Sequence, residues 1–330
     1  MNALKRVLNG ASKRLIVLIP AAMAAGFAYG LLADASLLKP WVLPLTVVMV
    51  YPMLVNFRPR AVLDGGDMRA FWMAMGLDFL VLPLVAWGFA LAFFREQPAL
   101  FAGMVLAGLF PTSGMTISWT GFAKGNVAAA VKMTVVGLIA ASLLAPVYLK
   151  ALVGAVVPVD AGEVLKTVAL VVALPMAAGA LTRIGVVRAR GEAYFREQVV
   201  PALPGLSTIG VLGIVFVAIA LKAKAIAAAP QALLVILAPL AAFYALNFVL
   251  ATAVGKALLP RGDAIALVYG TVMRNLSIAL GIAVTQFGPE SALVLSLAYV
   301  VQVQAAAWYV RLTDRVFGPA EPVAAQPSSA

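Results

Sequence analysis

The sequence contains neither cysteine nor histidine, and this double absence excludes several kinds of chemistry. Disulfides, thiolate nucleophiles and zinc sites built from cysteine or histidine all need side chains that this chain lacks. Charged residues are also scarce, at 11% of the 330 residues, whereas 64% are hydrophobic. Such a composition cannot give a water-soluble globule a normal polar surface, so we expect lipid to surround most of the chain.

Long apolar runs recur along the whole chain. A transmembrane helix needs about 20 apolar residues to cross a hydrocarbon core about 30 Å thick. The runs predict ten transmembrane helices, numbered as spans one to ten: 15–33, 40–56, 70–94, 98–122, 126–149, 163–182, 202–221, 230–259, 262–287 and 290–312. The predicted fold class is an all-α membrane protein, with one transmembrane domain over 1–317. The tail at 318–330 cannot bury apolar surface, and we expect it to be disordered.

The basic residues between the spans predict the orientation. If the N-terminus is cytoplasmic, most of the 24 lysines and arginines also fall on the cytoplasmic side, including those between Arg183 and Arg196. Lysine and arginine are enriched in cytoplasmic connections of membrane proteins. We therefore expect a multi-pass protein of the cell inner membrane with both termini in the cytoplasm. The exceptions, which would lie outside, are Lys39, Arg95, Lys150, Lys166, Lys222 and Lys224.

A weak internal repeat relates the two halves of the chain. Pro83 in span three and Pro239 in span eight lie in similar apolar contexts, five spans apart. An odd separation predicts two inverted five-helix repeats, about 15–149 and 163–312, and transporters with such repeats bind their solute near the bilayer midplane. Two unrelated prolines at convenient kink sites would give the same pattern, and this alternative stays open.

Spans four and nine are each interrupted by residues that fit poorly into a lipid-facing helix. Span four carries Pro111, Thr112, Ser113 and Gly114, and span nine carries the run 270–277 with an arginine inside it. Broken helices expose backbone groups in the membrane, which are useful where they face a solute or an ion. The pattern predicts a break in both spans. A simple kink, satisfied by serine and threonine side chains, is the alternative.

The interrupted segments resemble the bile acid:sodium symporter superfamily (BASS/SBF), which includes an arsenite carrier branch. Pro111 through Met133 is similar to the family's Pro-Gly-Gly-x-x-Ser-Asn segment and the helix after it. Gly270-Thr271-Val272-Met273-Arg274-Asn275 resembles its Glu-Thr-Gly-Met-Gln-Asn motif. The resemblance covers spans three to five and eight to ten. It implies a panel domain and a core domain, with broken spans four and nine crossing in the core.

The sequence departs from the family pattern where relatives bind two sodium ions. The resemblance places oxygen ligands of the family at five positions where this chain has other residues. Those residues are Asp78, Ile117, Ala130, Gly270 and Arg274, so most of the oxygen ligands are replaced. Polar side chains of the pattern remain at Thr116, Thr134 and Asn275. The resemblance therefore implies a transporter without the family's sodium sites.

Three ionisable residues, Asp78, Lys132 and Arg274, lie in the middle of predicted spans. Charges inside a membrane are costly and generally functional. Our interpretation is that Arg274 pairs with Asp78 and supplies positive charge where relatives hold sodium, and that Lys132 does so at the other site. Alternatively the pair is purely architectural, and Lys132 extends toward the headgroups.

The sequence predicts a secondary transporter that moves a small organic anion by alternating access. An arsenite efflux permease and a passive channel are the alternatives. An enzyme is disfavoured because histidine and cysteine are absent and no nucleophile motif is present. The expected substrate- or ion-binding residues are Asp78, Thr112, Ser113, Thr116, Lys132, Thr134, Thr271, Arg274, Asn275 and Ser277.

The expected partners follow from this reading. We expect a lipid bilayer and a small anionic solute, no nucleic acid, and a monomer or a homodimer. We expect no cofactor, no metal and no sodium requirement, and proton coupling through Asp78 is left open.

Overall fold

The computed structural model describes residues 15–55, 68–228 and 230–319, and the regular secondary structure within them is helical. The protein is therefore an all-α membrane protein, as predicted. The disordered tail predicted at 318–330 lies outside the described residues from position 320 onward. The basic segment before Leu15 also lies outside them.

The α-helices follow one another with short connections. In chain order they are α1 (Leu15–Leu32), α2 (Val42–Val55), α3 (Met68–Gly76), α4 (Leu82–Phe94), α5 (Pro98–Leu109), α6 (Gly114–Phe122), α7 (Val127–Tyr148), α8 (Ala161–Val168), α9 (Leu174–Tyr194), α10 (Leu203–Ala228), α11 (Ala232–Leu258), α12 (Arg261–Val272), α13 (Leu276–Ile282) and α14 (Pro289–Phe317). Short 3₁₀ or π segments lie at Ala35–Trp41, Leu77–Val81, Leu149–Val153, Ala169–Ala173, Phe195–Val199, Val200–Ala202 and Ala283–Phe287.

Helix starts are fixed by ordinary capping chemistry. The Asn126 side chain accepts a hydrogen bond from the Ala129 amide at 3.0 Å and so caps α7. Asp160 does the same for α8 through the Gly162 amide at 2.7 Å. Pro98 and Pro289 open α5 and α14, where the missing N–H of proline costs nothing.

Several of these helices are long and apolar enough to cross a membrane. In the described residues there are six such helical stretches, and eight if two bent pairs are each counted as one span. One of the six, Gly162–Lys224, covers 63 residues and includes both predicted spans six and seven. The count of ten spans and the inverted repeat therefore remain predictions.

The connection predicted after span six, at residue 182, is largely helical in the structure. Helix α9 continues to Tyr194, with a kink at Gly191, whose φ is 84°. Glu192 forms ion pairs with Arg183 at 3.2 Å and with Arg196 at 3.1 Å. These pairs neutralise part of the positive charge of the predicted cytoplasmic connection.

Helix contacts divide the described chain into two bundles. The first bundle joins α10 to α1 and α2, with α9 against α2. The second bundle contains α3 to α7 and α11 to α14, and α14 contacts α10 across the boundary. Within the second bundle α5 and α12 are central, because 101–109 and 263–272 are buried without exception. Both predicted breaks follow directly after these two central helices.

Candidate functional site

The two predicted breaks are present, and they touch each other. Helix α5 ends at Leu109 and α6 begins at Gly114 with a bend of 56°, whereas α12 ends at Val272 and α13 begins at Leu276. The backbone amide of Asn275 donates a hydrogen bond to the Phe110 carbonyl oxygen at 2.8 Å. This bond joins one break to the other, so backbone groups freed in both helices meet at one place in the core.

The first break is closed by local hydroxyl groups and a strained threonine. Thr112 has a φ of 50°, which is unfavourable for a β-branched residue, and its hydroxyl donates to the Met133 carbonyl at 3.4 Å. The Ser113 amide donates to the Thr116 hydroxyl at 3.1 Å. That hydroxyl in turn donates to the Met273 carbonyl of the second break at 3.4 Å.

The close fit of this threonine requires a glycine on the neighbouring helix. A Cβ at Gly137 in α7 would lie 2.8 Å from the Thr112 hydroxyl oxygen. Helix α7 therefore packs directly against the first break, and any larger residue at position 137 would displace the Thr112 side chain.

The second break is closed by side chains from two other helices. Gln302 of α14 accepts a hydrogen bond from the Arg274 amide at 2.9 Å and donates one to the Arg274 carbonyl at 3.3 Å. Tyr244 donates to the same Gln302 oxygen at 3.0 Å. Asn247, like Tyr244 in α11, donates to the Thr271 carbonyl at 3.1 Å. These amides take over hydrogen bonds that a continuous helix would make to itself.

The sequence patterns did not predict a role for Tyr244, Asn247 and Gln302. All three are buried, with exposures of 1%, 1% and 0%. Uncharged polar residues occur in many membrane helices and signal a site less strongly than a charge does. A search of spans eight and ten for amide side chains would have found Asn247 and Gln302.

The predicted pair of Asp78 and Arg274 is confirmed, and it lies within the same network. Both side chains are buried, at 0% and 1% exposure, and Arg274 Nη1 donates to Asp78 Oδ1 in an ion pair. Arg274 Nη1 also donates to the Thr271 carbonyl at 3.3 Å, and Nη2 donates to the Gly108 carbonyl. The guanidinium thus connects the π segment after α3, the last turn of α5 and the second break.

The oxygen atoms around Arg274 form a shell that suits a cation. They come from the Asp78 carboxylate and from the Gly108 and Thr271 carbonyls. Carboxylate and carbonyl oxygens are also the ligands that hard metal cations use in proteins. In this chain the guanidinium of Arg274 lies among these oxygen atoms.

Three of the predicted site residues lie apart from this network. Lys132 is buried at 4% exposure, and its amine forms no hydrogen bond or ion pair with the residues the structure describes. Thr134 donates to the Ala130 carbonyl of its own helix at 2.8 Å. Ser277 shares a hydrogen bond with the Tyr299 hydroxyl at 2.6 Å. The other seven predicted residues lie in the two breaks or contact them.

A second polar cluster fastens the turn between α6 and α7. Arg261, at the start of α12, donates to the Lys124 carbonyl at 3.0 Å and to Asp314 of α14 at 2.6 Å. Asn126 donates to Asp263 at 2.6 Å. This cluster holds α6, α7, α12 and α14 together at one end of the second bundle, where Asp314 is exposed. Its role is structural support for the helices that carry the breaks.

Comparison with known proteins identifies relatives of this chain by sequence. A sequence profile described as the Sodium Bile acid symporter family matches residues 42–229. This chain belongs to that family. The matched segment includes the first break and the π segment that carries Asp78. Membership of the Sodium Bile acid symporter family supports a secondary transporter of this type, and the apolar helices fit a multi-pass membrane protein.

Individual relatives belong to more than one branch. The uncharacterized sodium-dependent transporter YocS of Bacillus subtilis is 28% identical over 219 residues, which are 65% of this chain and 64% of YocS. The arsenical-resistance protein Acr3 of Alkaliphilus metalliredigens is 24% identical over 328 residues, covering 91% of both chains. The probable sodium/metabolite cotransporter BASS2 of Oryza sativa is 31% identical over 135 residues, 41% of this chain and 30% of BASS2. The similarity thus includes relatives named for sodium coupling and a relative named for arsenic resistance.

Proposed function

We propose that this chain is a secondary transporter that carries a small organic anion across the cell inner membrane by alternating access. The observation that carries the proposal is the buried guanidinium of Arg274, which lies at the contact between two broken helices. A guanidinium recognises carboxylates through paired, charge-assisted hydrogen bonds. Helix α6, which begins at the first break, adds the positive end of its dipole.

The solute would lie where the two breaks meet, in contact with Thr112, Ser113, Thr271, Arg274 and Asn275. The test is uptake of labelled acids into proteoliposomes by Thr112→Leu and Asn275→Leu variants. We expect both to lose transport while the protein remains folded. Thr182→Val, which removes a hydroxyl bonded to Tyr51 in the first bundle, is the control and should transport normally. Normal transport by both site variants would place the solute elsewhere.

We further propose that transport does not require sodium. Arg274 already lies within the oxygen shell that a cation would need, and its charge repels another cation that approaches. The measurement is uptake with sodium replaced by potassium or choline. Equal rates support the proposal, whereas steep and saturable sodium dependence refutes it. Counterflow in the same vesicles separates a carrier from a passive channel, because only a carrier accumulates labelled solute above its equilibrium level when the vesicles are preloaded with unlabelled solute.

The proposed topology places both termini in the cytoplasm. The chain has no cysteine, so single cysteines can be introduced and labelled with an impermeant thiol reagent. A cysteine at position 190 should react only from the cytoplasmic side. Labelling from the periplasm would reverse the topology.

Arsenite efflux is the second candidate function, because the match to Acr3 of Alkaliphilus metalliredigens covers 91% of both chains. The arsenite branch is associated with a cysteine in span four, and this chain contains none. Expression in arsenite-sensitive cells decides between the candidates. Resistance that depends on Arg274 would favour efflux of arsenite over transport of an organic anion.

A further inference from the structure

Three buried polar atoms in the Arg274 network have no hydrogen-bond partner among the described residues. They are Asp78 Oδ2, Arg274 Nε and Asn247 Oδ1. The three side chains are at most 1% exposed. Burying a polar atom without a partner is unfavourable, and a cluster of such atoms indicates that a polar ligand belongs among them.

Hydrogen bonds join the three side chains into one chain of contacts. Asn247 donates to the Thr271 carbonyl at 3.1 Å, and Arg274 Nη1 donates to the same carbonyl at 3.3 Å. Arg274 Nη1 also donates to Asp78 Oδ1. The unpartnered atoms are therefore the remaining bonding positions of a single network, not unrelated defects.

The hydrogen-bonding roles of these atoms are fixed. Arg274 Nε can only donate, and Nη2 has a second hydrogen beside the one directed at the Gly108 carbonyl. Nε and the remaining Nη2 hydrogen are therefore the donors of the guanidinium that are left for a carboxylate. Asp78 Oδ2 accepts when the carboxylate is charged. Asn247 Oδ1 accepts as well, because the reversed amide would set its oxygen against the Thr271 carbonyl oxygen.

We propose that the transported solute is a small hydroxycarboxylate. Its carboxylate binds the Nε and Nη2 edge of Arg274, and its hydroxyl donates to Asp78 Oδ2 or Asn247 Oδ1. A hydroxyl can donate to either acceptor without adding a further charge to the Asp78–Arg274 pair. This inference rests on the proposed anion transport and specifies the chemistry of the anion.

Matched acids test the inference on the wild-type protein. Dissociation constants are measured by calorimetry on purified protein for lactate against propionate and for 3-hydroxybutyrate against butyrate, with alanine as the ammonium analogue. We expect each hydroxy acid to bind at least about tenfold more tightly than its unsubstituted partner, because the partner leaves the acceptors unsatisfied. Alanine should bind more weakly than lactate.

A variant locates the preference in the network. Asn247→Leu removes one acceptor, so the ratio of affinities within each pair should fall toward one. Thr182→Val, outside the network, should keep the wild-type ratio. If Asn247→Leu does not fold, the wild-type pairs alone decide the result.

Each outcome has a distinct meaning. Equal affinity for the two acids of each pair overturns the hydroxycarboxylate inference and leaves anion transport intact. Tighter binding of alanine than of lactate also overturns it, in favour of a zwitterionic solute. Binding of none of these acids overturns both this inference and the proposed function, and assigns the unpartnered atoms to bound water.

Discussion

The two breaks satisfy the hydrogen bonds of their free backbone groups in different ways. Each exposes backbone groups inside the membrane, where water is absent. The first break is closed mainly by its own threonine hydroxyl groups, at Thr112 and Thr116. The second break depends on Gln302 from another helix and on a buried guanidinium. The first break therefore uses side chains of its own segment, whereas the second also takes side chains from other helices.

The largest expected effect comes from separating the buried ion pair. Arg274→Gln leaves the Asp78 carboxylate without its partner and should lower the free energy of unfolding by about 3–5 kcal/mol. The double variant Asp78→Gln with Arg274→Gln should be more stable than either single variant, because an uncompensated buried charge costs more than none. Melting temperatures in detergent provide the measurement.

An exposed pair supplies the matched control for this prediction. Arg196→Gln makes the same chemical change in a side chain that is 61% exposed, and it should lower the free energy of unfolding by less than about 1 kcal/mol. A double variant less stable than both single ones would show that the second break does not depend on the pairing of these charges.

The next largest effect is expected at Gln302. Gln302→Leu removes two hydrogen bonds to the Arg274 backbone and leaves those groups buried, so stability should fall by about 2–3 kcal/mol. Tyr244→Phe removes only the hydroxyl bonded to Gln302 and should cost about 1 kcal/mol. Equal losses in the two variants would mean that Gln302 does not support the break directly.

A smaller effect tests the first break. Gly137→Ala forces the Thr112 hydroxyl aside and should lower stability by about 1–3 kcal/mol. Thr112→Gly removes both the clash and the unfavourable φ, so it should rescue the Gly137→Ala variant in a double-mutant cycle. If the two changes are simply additive, the contact between α7 and the break is not the cause.

The smallest effect is expected at Thr134, although the family resemblance places it among the site residues. Among the described residues its hydroxyl bonds only to the Ala130 carbonyl of its own helix. Thr134→Val should change stability by less than about 0.5 kcal/mol and should leave transport unchanged. A clear loss of transport in Thr134→Val, measured beside Thr116→Val, would show that Thr134 belongs to the binding site.

The parts of the site that could be predicted share one physical basis. Pro111 and Gly114 signal a break because neither residue suits an uninterrupted membrane helix. The pairing of Asp78 with Arg274 was predictable, because a buried charge requires a partner of opposite sign. The direction of an uncharged side chain depends on helix packing, so the sequence shows that Asn247 is present but not that it faces the second break.

Other features depended on tertiary contacts that no local pattern records. The sequence did not show that the arginine-rich connection after residue 182 is largely helical, with Glu192 in ion pairs with Arg183 and Arg196. Lys132 was expected to act at a second cationic site. It is buried, but the described residues offer its amine no partner, and its role in transport stays a prediction.

The glycines of α1 have a consequence for the order of assembly. A Cβ at Gly26 or Gly30 would collide with the Phe216 and Ala220 carbonyl oxygens, so α1 and α10 lie with their backbones in close approach. The ribosome completes α1 long before it synthesises α10. During that interval the glycine face of α1 cannot yet contact α10 and faces lipid instead. A bulky residue at Gly30 would therefore leave the first helix inserted normally and would block a late step of folding.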